Sequence, residues 1–237
     1  HGGAQNRPGT IFVAEVKDST KSVRLIPFIF NSDQTYVLEF GDQYMRVIRN
    51  GVQLTNTSQA ITGVTNANPA VLTYGGADTY ANGDQVFISG IVGAIGTFLN
   101  NRVFKVAGVN TGANTFQLNY FDGTAVDSTW FGSYTSGGTI AEIYEIATPY
   151  LEADLMDLQF VQSADVITIV HKDYAPRELA RTGHTSWTLT TPSFAPTIAA
   201  PTSPTNSGAA GTTTEWVITA IQGETFEESL QSASTGS

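Results

Sequence analysis

Apolar and polar residues alternate with a period of two along much of this chain, the spacing of a strand with one face against a core. Residues 10–16 (TIFVAEV), 23–30 (VRLIPFIF), 34–40 (QTYVLEF) and 43–48 (QYMRVI) each read as a strand. Turn chemistry stands before the first at Arg7-Pro8-Gly9, and between later ones at Asn31-Ser32-Asp33 and Gly41-Asp42. Proline cannot donate to a ladder, so Pro27 marks its run as an edge or bulged strand. Asn50-Gly51 is the strongest short-range hairpin signal in the chain. Strands arriving about every ten residues with turns between them predict antiparallel sheets. No long stretch repeats at 3.6 residues, so few helices are expected.

The texture changes over residues 60–142, which are rich in Gly, Asn and Thr and hold only two basic residues, Arg102 and Lys105. ITGVTNANPAVLTY reads as strand, turn, strand. Residues 84–89 (DQVFIS), 102–108 (RVFKVAG), 114–119 (NTFQLN) and 139–143 add further strands, and residues 90–101 read as a Gly-punctuated loop with one helical turn. About six short strands in so few residues predict a small closed or nearly closed barrel. After it the first texture resumes. Residues 152–157 (EADLMD) form a helical turn, with Leu151, Leu155 and Leu158 packing inward.

Residues 166–170 (VITIV) read as a buried strand, followed by a turn at 171–174 and a redirection of the chain at Ala175-Pro176. A second strand follows at 185–189 (TSWTL). Val166, Ile167, Ile169 and Val170 are expected to pair with the early strands and pack on Val37, Leu38, Phe40, Val47 and Ile48. Residues 1–59 and 143–191 then make one discontinuous sheet domain, with the barrel at 60–142 inserted at a hairpin tip, where insertions are tolerated. Residues 192–214, rich in Pro, Ala, Ser and Thr, read as a linker. Residues 215–237 read as the start of a sandwich-like domain, incomplete, with Trp216, Ile218 and Ala220 on one face. The fold class expected is all-β: a partial propeller-like antiparallel sheet domain, an inserted barrel and a truncated sandwich-like segment.

Composition narrows the function. Charged residues make up 14%, against about 25% in ordinary soluble domains, so Ser, Thr, Asn, Gln and Gly must cover much of the surface. The formal net charge is −10, which argues against gripping phosphate backbones but allows a polyanion to pass without sticking. Without cysteine there is no disulfide and no thiol nucleophile. No apolar run reaches the length of about 18 residues that reads as a membrane-spanning helix. The first ten residues, HGGAQNRPGT, read as the interior of a longer reading frame or a processed fragment.

Candidate chemistry is sparse. His171 and His184 could approach across one blade as a metal pair, but no ligand pattern accompanies them, and solvated or structural roles explain them better. Asp154, Asp157, Asp165 and Asp173 are scattered carboxylates, for which turn and capping roles are the default. Asp122-Gly123-Thr124 with Asp127 lacks the spaced ligands of a calcium loop. Gly90, Gly93 and Gly96 lack the lysine and the strand-turn-helix frame of a phosphate loop. No catalytic, cofactor or metal residue is assigned, and an enzyme is not expected. Tyr120, Phe121, Trp130 and Phe131 cluster in the sequence and could contact a glycan or a protein partner if exposed.

HGGAQNRPGT, YVLEFGDQYMRVIRNG, YLEADLMDLQFVQSADVITIVHKDYAPRELAR and HTSWTL resemble the tail nozzle proteins (tail tubular protein B) of short-tailed phages, over about residues 1–58 and 143–195. Residues 60–142 are similar to the small barrel of the first catalytic-cysteine half-domain of ubiquitin-activating enzymes, but lack cysteine and any nucleotide-binding motif. The resemblance implies a longer parent chain and a structural virion protein made in the host cytoplasm. It also implies a hexameric ring around a DNA conduit, joined to other tail and connector proteins, without cofactors or specific DNA binding. A surface carbohydrate-binding module is the alternative, and a glycan-cleaving enzyme using Asp154 and Asp165 ranks behind both.

Overall fold

A computed structural model of the chain describes residue 9 and residues 12–31, 34–76, 79–202, 215–233 and 235–236. The start of the run at 10–16, Arg7-Pro8, Ser32-Asp33 and most of the 192–214 linker lie outside these residues. The chain falls into two compact units, His1–Thr191 and Pro192–Ser237.

The first unit is all-β. Strands β1 (Arg24–Asn31), β2 (Gln34–Gly41) and β3 (Tyr44–Arg49) form an antiparallel meander. Pro27 lies on β1, the sheet's edge, where its missing N–H leaves no gap. The chain turns at Asn50 and Gly51, both at positive φ (51° and 75°), as a two-residue hairpin requires, into β4 (Val52–Gln53). From there it leaves the sheet. It traces β5 (Gln59–Val64), β6 (Val71–Gly75), β7 (Gln85–Gly93), the single turn α1 (Gly96–Leu99), β8 (Arg102–Asn110), β9 (Thr115–Asn119) and β10 (Tyr134–Glu142). These six strands close as a barrel in the order β10-β5-β6-β9-β8-β7. Its interior is filled by apolar side chains, among them Leu72, Val86, Ile88, Phe116, Leu118 and Ile140.

The chain then returns through β11 (Glu145–Ala147), which shares the free edge of β3 with β4: β11 pairs with residues 44–46 and β4 with residues 48–49. Outgoing and incoming chains stay bonded through the neck. Tyr144 N donates to Leu54 O (2.8 Å), Thr55 bridges Ile143, and Asn56 N donates to Glu142 O (2.8 Å). The barrel therefore grows from an antiparallel ribbon, with no long tether whose ordering would cost entropy.

A 3-10 turn at Glu152–Asp157 leads into a second meander, β12 (Gln159–Ser163), β13 (Val166–His171), β14 (Tyr174–Gly183) and β15 (Ser186–Thr190). The two sheets share one core. Ile167, Ile169, Leu179 and Trp187 pack with Ile26, Phe28, Leu38, Phe40 and Val47. Trp187 meets Phe28 edge-on at 4.8 Å and Tyr36 at 5.6 Å. Polar ties close the flanks. Arg24 Nη1 donates to the carbonyls of Leu155 (2.9 Å), Met156 (3.0 Å) and Leu158 (2.6 Å), and the Gln162 amide makes both hydrogen bonds that Ile29's backbone offers (3.1 and 2.7 Å). The described residues thus make an all-β chain of antiparallel sheets with a closed six-stranded barrel, as expected.

Several local expectations are corrected. Residues 12–16 alternate but join no ladder, and Phe12 is exposed. β13 does not hydrogen-bond to the early strands; it pairs with β12 and β14 and meets β1–β3 face to face. Its apolar run is only half-buried: Ile167 and Ile169 point into the core, Val166 is intermediate and Val170 is exposed. Val37 and Ile48 likewise lie on the outer face of their sheet. Ala175 and Pro176 do not redirect the chain; they lie within β14, where a register shift between Ile169 and His171 accommodates a residue that cannot donate. Leu151 is exposed, while Leu155 and Leu158 are buried.

In the second unit the two-residue strands β16 (Glu215–Trp216) and β17 (Thr235–Gly236) pair, and Ile221 bridges Glu228. Trp216 and Ile218, expected on a packed face, are exposed. Ser side chains hold this hairpin instead: Ser229 Oγ accepts from Ala220 N (2.9 Å) and Ser232 Oγ from Ile218 N (3.1 Å).

Candidate functional site

The neck between sheet and barrel concentrates the unit's unusual chemistry. On the outer face of the first sheet, β2, β3 and β11 align Glu39, Arg46 and Glu145 across three strands. Arg46 is 2% exposed. Its Nε donates to Glu145 Oε2 (3.0 Å) and its Nη1 to Gln85 Oε1 at the start of β7 (2.7 Å). The Gln85 amide donates in turn to the carbonyl of Lys17 (3.0 Å), and Lys17 Nζ reaches Glu145 Oε1 (2.5 Å). Tyr44 OH donates to Glu39 Oε1 (2.8 Å). The ring can lie there only because position 41 is glycine: a Cβ would sit 2.1 Å from it. Burial pushes the Glu39 carboxyl above the usual carboxylate range, opposed by the Tyr44 hydrogen bond and the Arg46 charge. Burial, and then the Glu39 charge, push the Tyr44 phenol up as well. This network fastens the N-terminal segment, the sheet and the barrel to one another.

Beside it the neck walls a cavity of about 500 Å³. Val52, Gln53, Thr55 and Ile143 form the neck side. Phe87, Arg102 and Phe104 come from β7 and β8, Asn101 from the turn before β8, and Tyr120 and Phe121 from the chain leaving β9. Residues 12–15 cross the remaining side. Gln53 is buried, and its Nε2, shut off from solvent, has no hydrogen-bond partner among the described residues. The Arg102 side chain is exposed and makes no ion pair or hydrogen bond among the described residues. A second hollow of about 300 Å³ gathers Lys17, Lys21 and Lys105 with Asp18 and Asp42. Lys21 pairs with Asp42, whose carboxyl is held below its usual range first by that hydrogen bond.

The four aromatics singled out from the sequence do not form one patch. Tyr120 and Phe121 line the neck cavity, with the Tyr120 ring 6.1 Å from Phe104. Phe131 stacks on Phe98 of α1 at 4.3 Å, and Trp130 is 89% exposed. Sequence reasoning missed Gln53 and did not assign Arg102 a role. The signal for Arg102 was present: it and Lys105 are the only basic residues of 60–142, and each lines a hollow.

The two histidines are not a pair. They sit at opposite ends of β14, a ten-residue strand about 30 Å long. His184 Nδ1 lies 2.7 Å from Tyr36 OH, and desolvation, then Arg49 and Arg181, hold its imidazole below the usual range. His171 instead joins Asp154 and Asp173, with ligand-capable atoms within 4.8 Å of one another. These carboxylates already have partners: Tyr174 OH donates to Asp154 Oδ2 (2.6 Å) and Lys172 pairs with Asp173. Asp122 and Asp127 close local turns through Thr124 and Thr129.

No family model matches the chain, and no curated protein matches it. Among the described residues, no helix is long and apolar enough to cross a membrane.

Proposed function

We propose that this chain is a structural component of a phage virion tail that self-associates through its sheet domain into a ring around the DNA conduit. The observation that carries the reading is an uncovered apolar face on the first sheet, with exposed valines on the mixed outer face of the second. On the first sheet, Leu25 (60% exposed), Pro27, Ile29 (61%) and Val37 share the outer face of β1 and β2. On the second, Val161 (66% exposed), Val166 and Val170 share the outer face with Gln159, Ser163, Thr168 and Glu178. A two-sheet sandwich that works alone carries polar residues at such positions. Contiguous exposed apolar surface marks an interaction site.

The two faces lie on opposite sides of one sandwich and differ from each other, so the contact they favour is head to tail. Contacts of that kind close into rings or run on as filaments. In a propeller every blade is likewise covered on both faces, and the resemblance to tail nozzle proteins points to the ring, joined to further tail and connector proteins. A net charge of −10 suits a wall that DNA slides past.

Sedimentation across a range of concentrations, with negative-stain microscopy, tests this. Closed assemblies are expected, and Leu25→Glu with Ile29→Glu should reduce them to monomers without moving the melting temperature. A chain that stays monomeric at every concentration overturns the proposal.

A further inference from the structure

We propose that the neck cavity binds an acidic monosaccharide unit, stacked on its aromatic rings with the carboxylate on Arg102. This function is independent of ring assembly. At about 500 Å³ the cavity falls within the usual range for small-molecule sites. Its accessible rings, Tyr120 and Phe121, offer flat apolar surface of the kind that takes the C–H face of a sugar.

Two charged groups narrow the ligand. The Arg102 guanidinium only donates and is unpaired among the described residues, which favours a planar anion, above all a carboxylate. Glu15, on the crossing segment, is an exposed carboxylate that only accepts, so a ligand group that reaches it has to donate. An unsubstituted aromatic acid such as benzoate has the face and the anion but no donor for Glu15. A neutral sugar has face and donors but offers Arg102 only hydroxyl oxygens, with no charge to match. A sugar carrying a carboxylate meets all three demands.

Calorimetric titration of the chain with sodium glucuronate, glucose and sodium benzoate at equal ionic strength tests the assignment. Glucuronate should bind at least about tenfold more tightly than either of the others, the discrimination expected of a charge-assisted hydrogen bond. Arg102→Gln should bring glucuronate down to the level of glucose. That side chain is exposed and has no partner among the described residues, so the variant keeps the wild-type melting temperature. Tyr120→Ala should weaken both sugars. No glucuronate binding, equal binding of glucuronate and glucose, benzoate binding more tightly than glucuronate, or indifference to Arg102→Gln would each overturn the proposal.

Discussion

Replacing Arg46 by leucine tests whether the neck network holds sheet and barrel together. The guanidinium is buried and serves Glu145, Gln85 and, through its charge, Glu39. Leucine supplies apolar volume but no donor. It leaves Glu39 buried beside the Glu145 charge, with Lys17 as the nearest remaining cation in the network. Removing one partner of a buried ion pair costs about 3–5 kcal/mol, a large share of the roughly 5–15 kcal/mol by which a domain is stable. The cost should depend on pH in a definite direction. Burial already raises the folded pKa of Glu39 above 4.5, and losing Arg46 removes a charge that opposed that rise. The penalty is therefore full where Glu39 would be ionised and shrinks as pH falls through its raised pKa and the carboxyl takes a proton. Urea unfolding followed by fluorescence reads this out, because Trp187 is buried in the core while Trp130 and Trp216 are exposed. At about pH 8 the variant should lose about 3 kcal/mol or more, and markedly less at about pH 5. A penalty below about 1 kcal/mol, the scale of an exposed ion pair, would refute the reasoning, as would one that does not change with pH.

Two further predictions follow from the same geometry. Glu39→Gln removes a carboxyl whose folded pKa is raised: its contribution to stability is full below the unfolded pKa and is lost as pH rises through the folded value. The variant should match wild type in acid and gain relative to it as pH climbs past 4.5, seen as a flatter plot of melting temperature against pH. Ile167→Ala should cost about 2–5 kcal/mol in denaturant melts and Val170→Ala less than about 0.5 kcal/mol, because only the first side chain faces the shared core.

How far the sequence reaches can be argued from particular residues. The turn at Asn50-Gly51 was legible because it is local: two residues suited to positive φ between two apolar runs leave few alternatives. The barrel was legible for the same reason, since its turns punctuate six short strands in succession. The run at 166–170 misled because a continuous apolar stretch does not say which of its two faces is covered. The answer depends on how many sheets are present to cover them, and Val170 lies on a face left open. Residues 12–16 misled differently. Alternation describes faces, but a strand also needs a neighbour's free edge. The closed barrel has none, β11 and β4 already occupy one edge of β3, and the segment lies along the neck cavity rather than on the edges left at β1, β12 and β15.

The neck was illegible for a deeper reason. Glu39, Arg46 and Glu145 become neighbours only when a strand from beyond the insertion lies against β3 in one register, and a slip of one residue would send Glu145 to the other face. Gln85 reaches Arg46 only because β7 begins at the mouth of the barrel beside that strand. The insertion and the buried charge therefore explain each other. An isolated arginine on a sheet's outer face would be solvated, and here it is buried because the barrel closes over it and supplies an acceptor. The barrel in turn is fixed at a set position over the sheet by groups that would be left unsatisfied if it swung away. A hinge at the neck would expose Arg46 and undo the contacts that Gln85 makes with Arg46 and Lys17, so the neck acts as a rigid joint, with the ligand-sized cavity held open beside it.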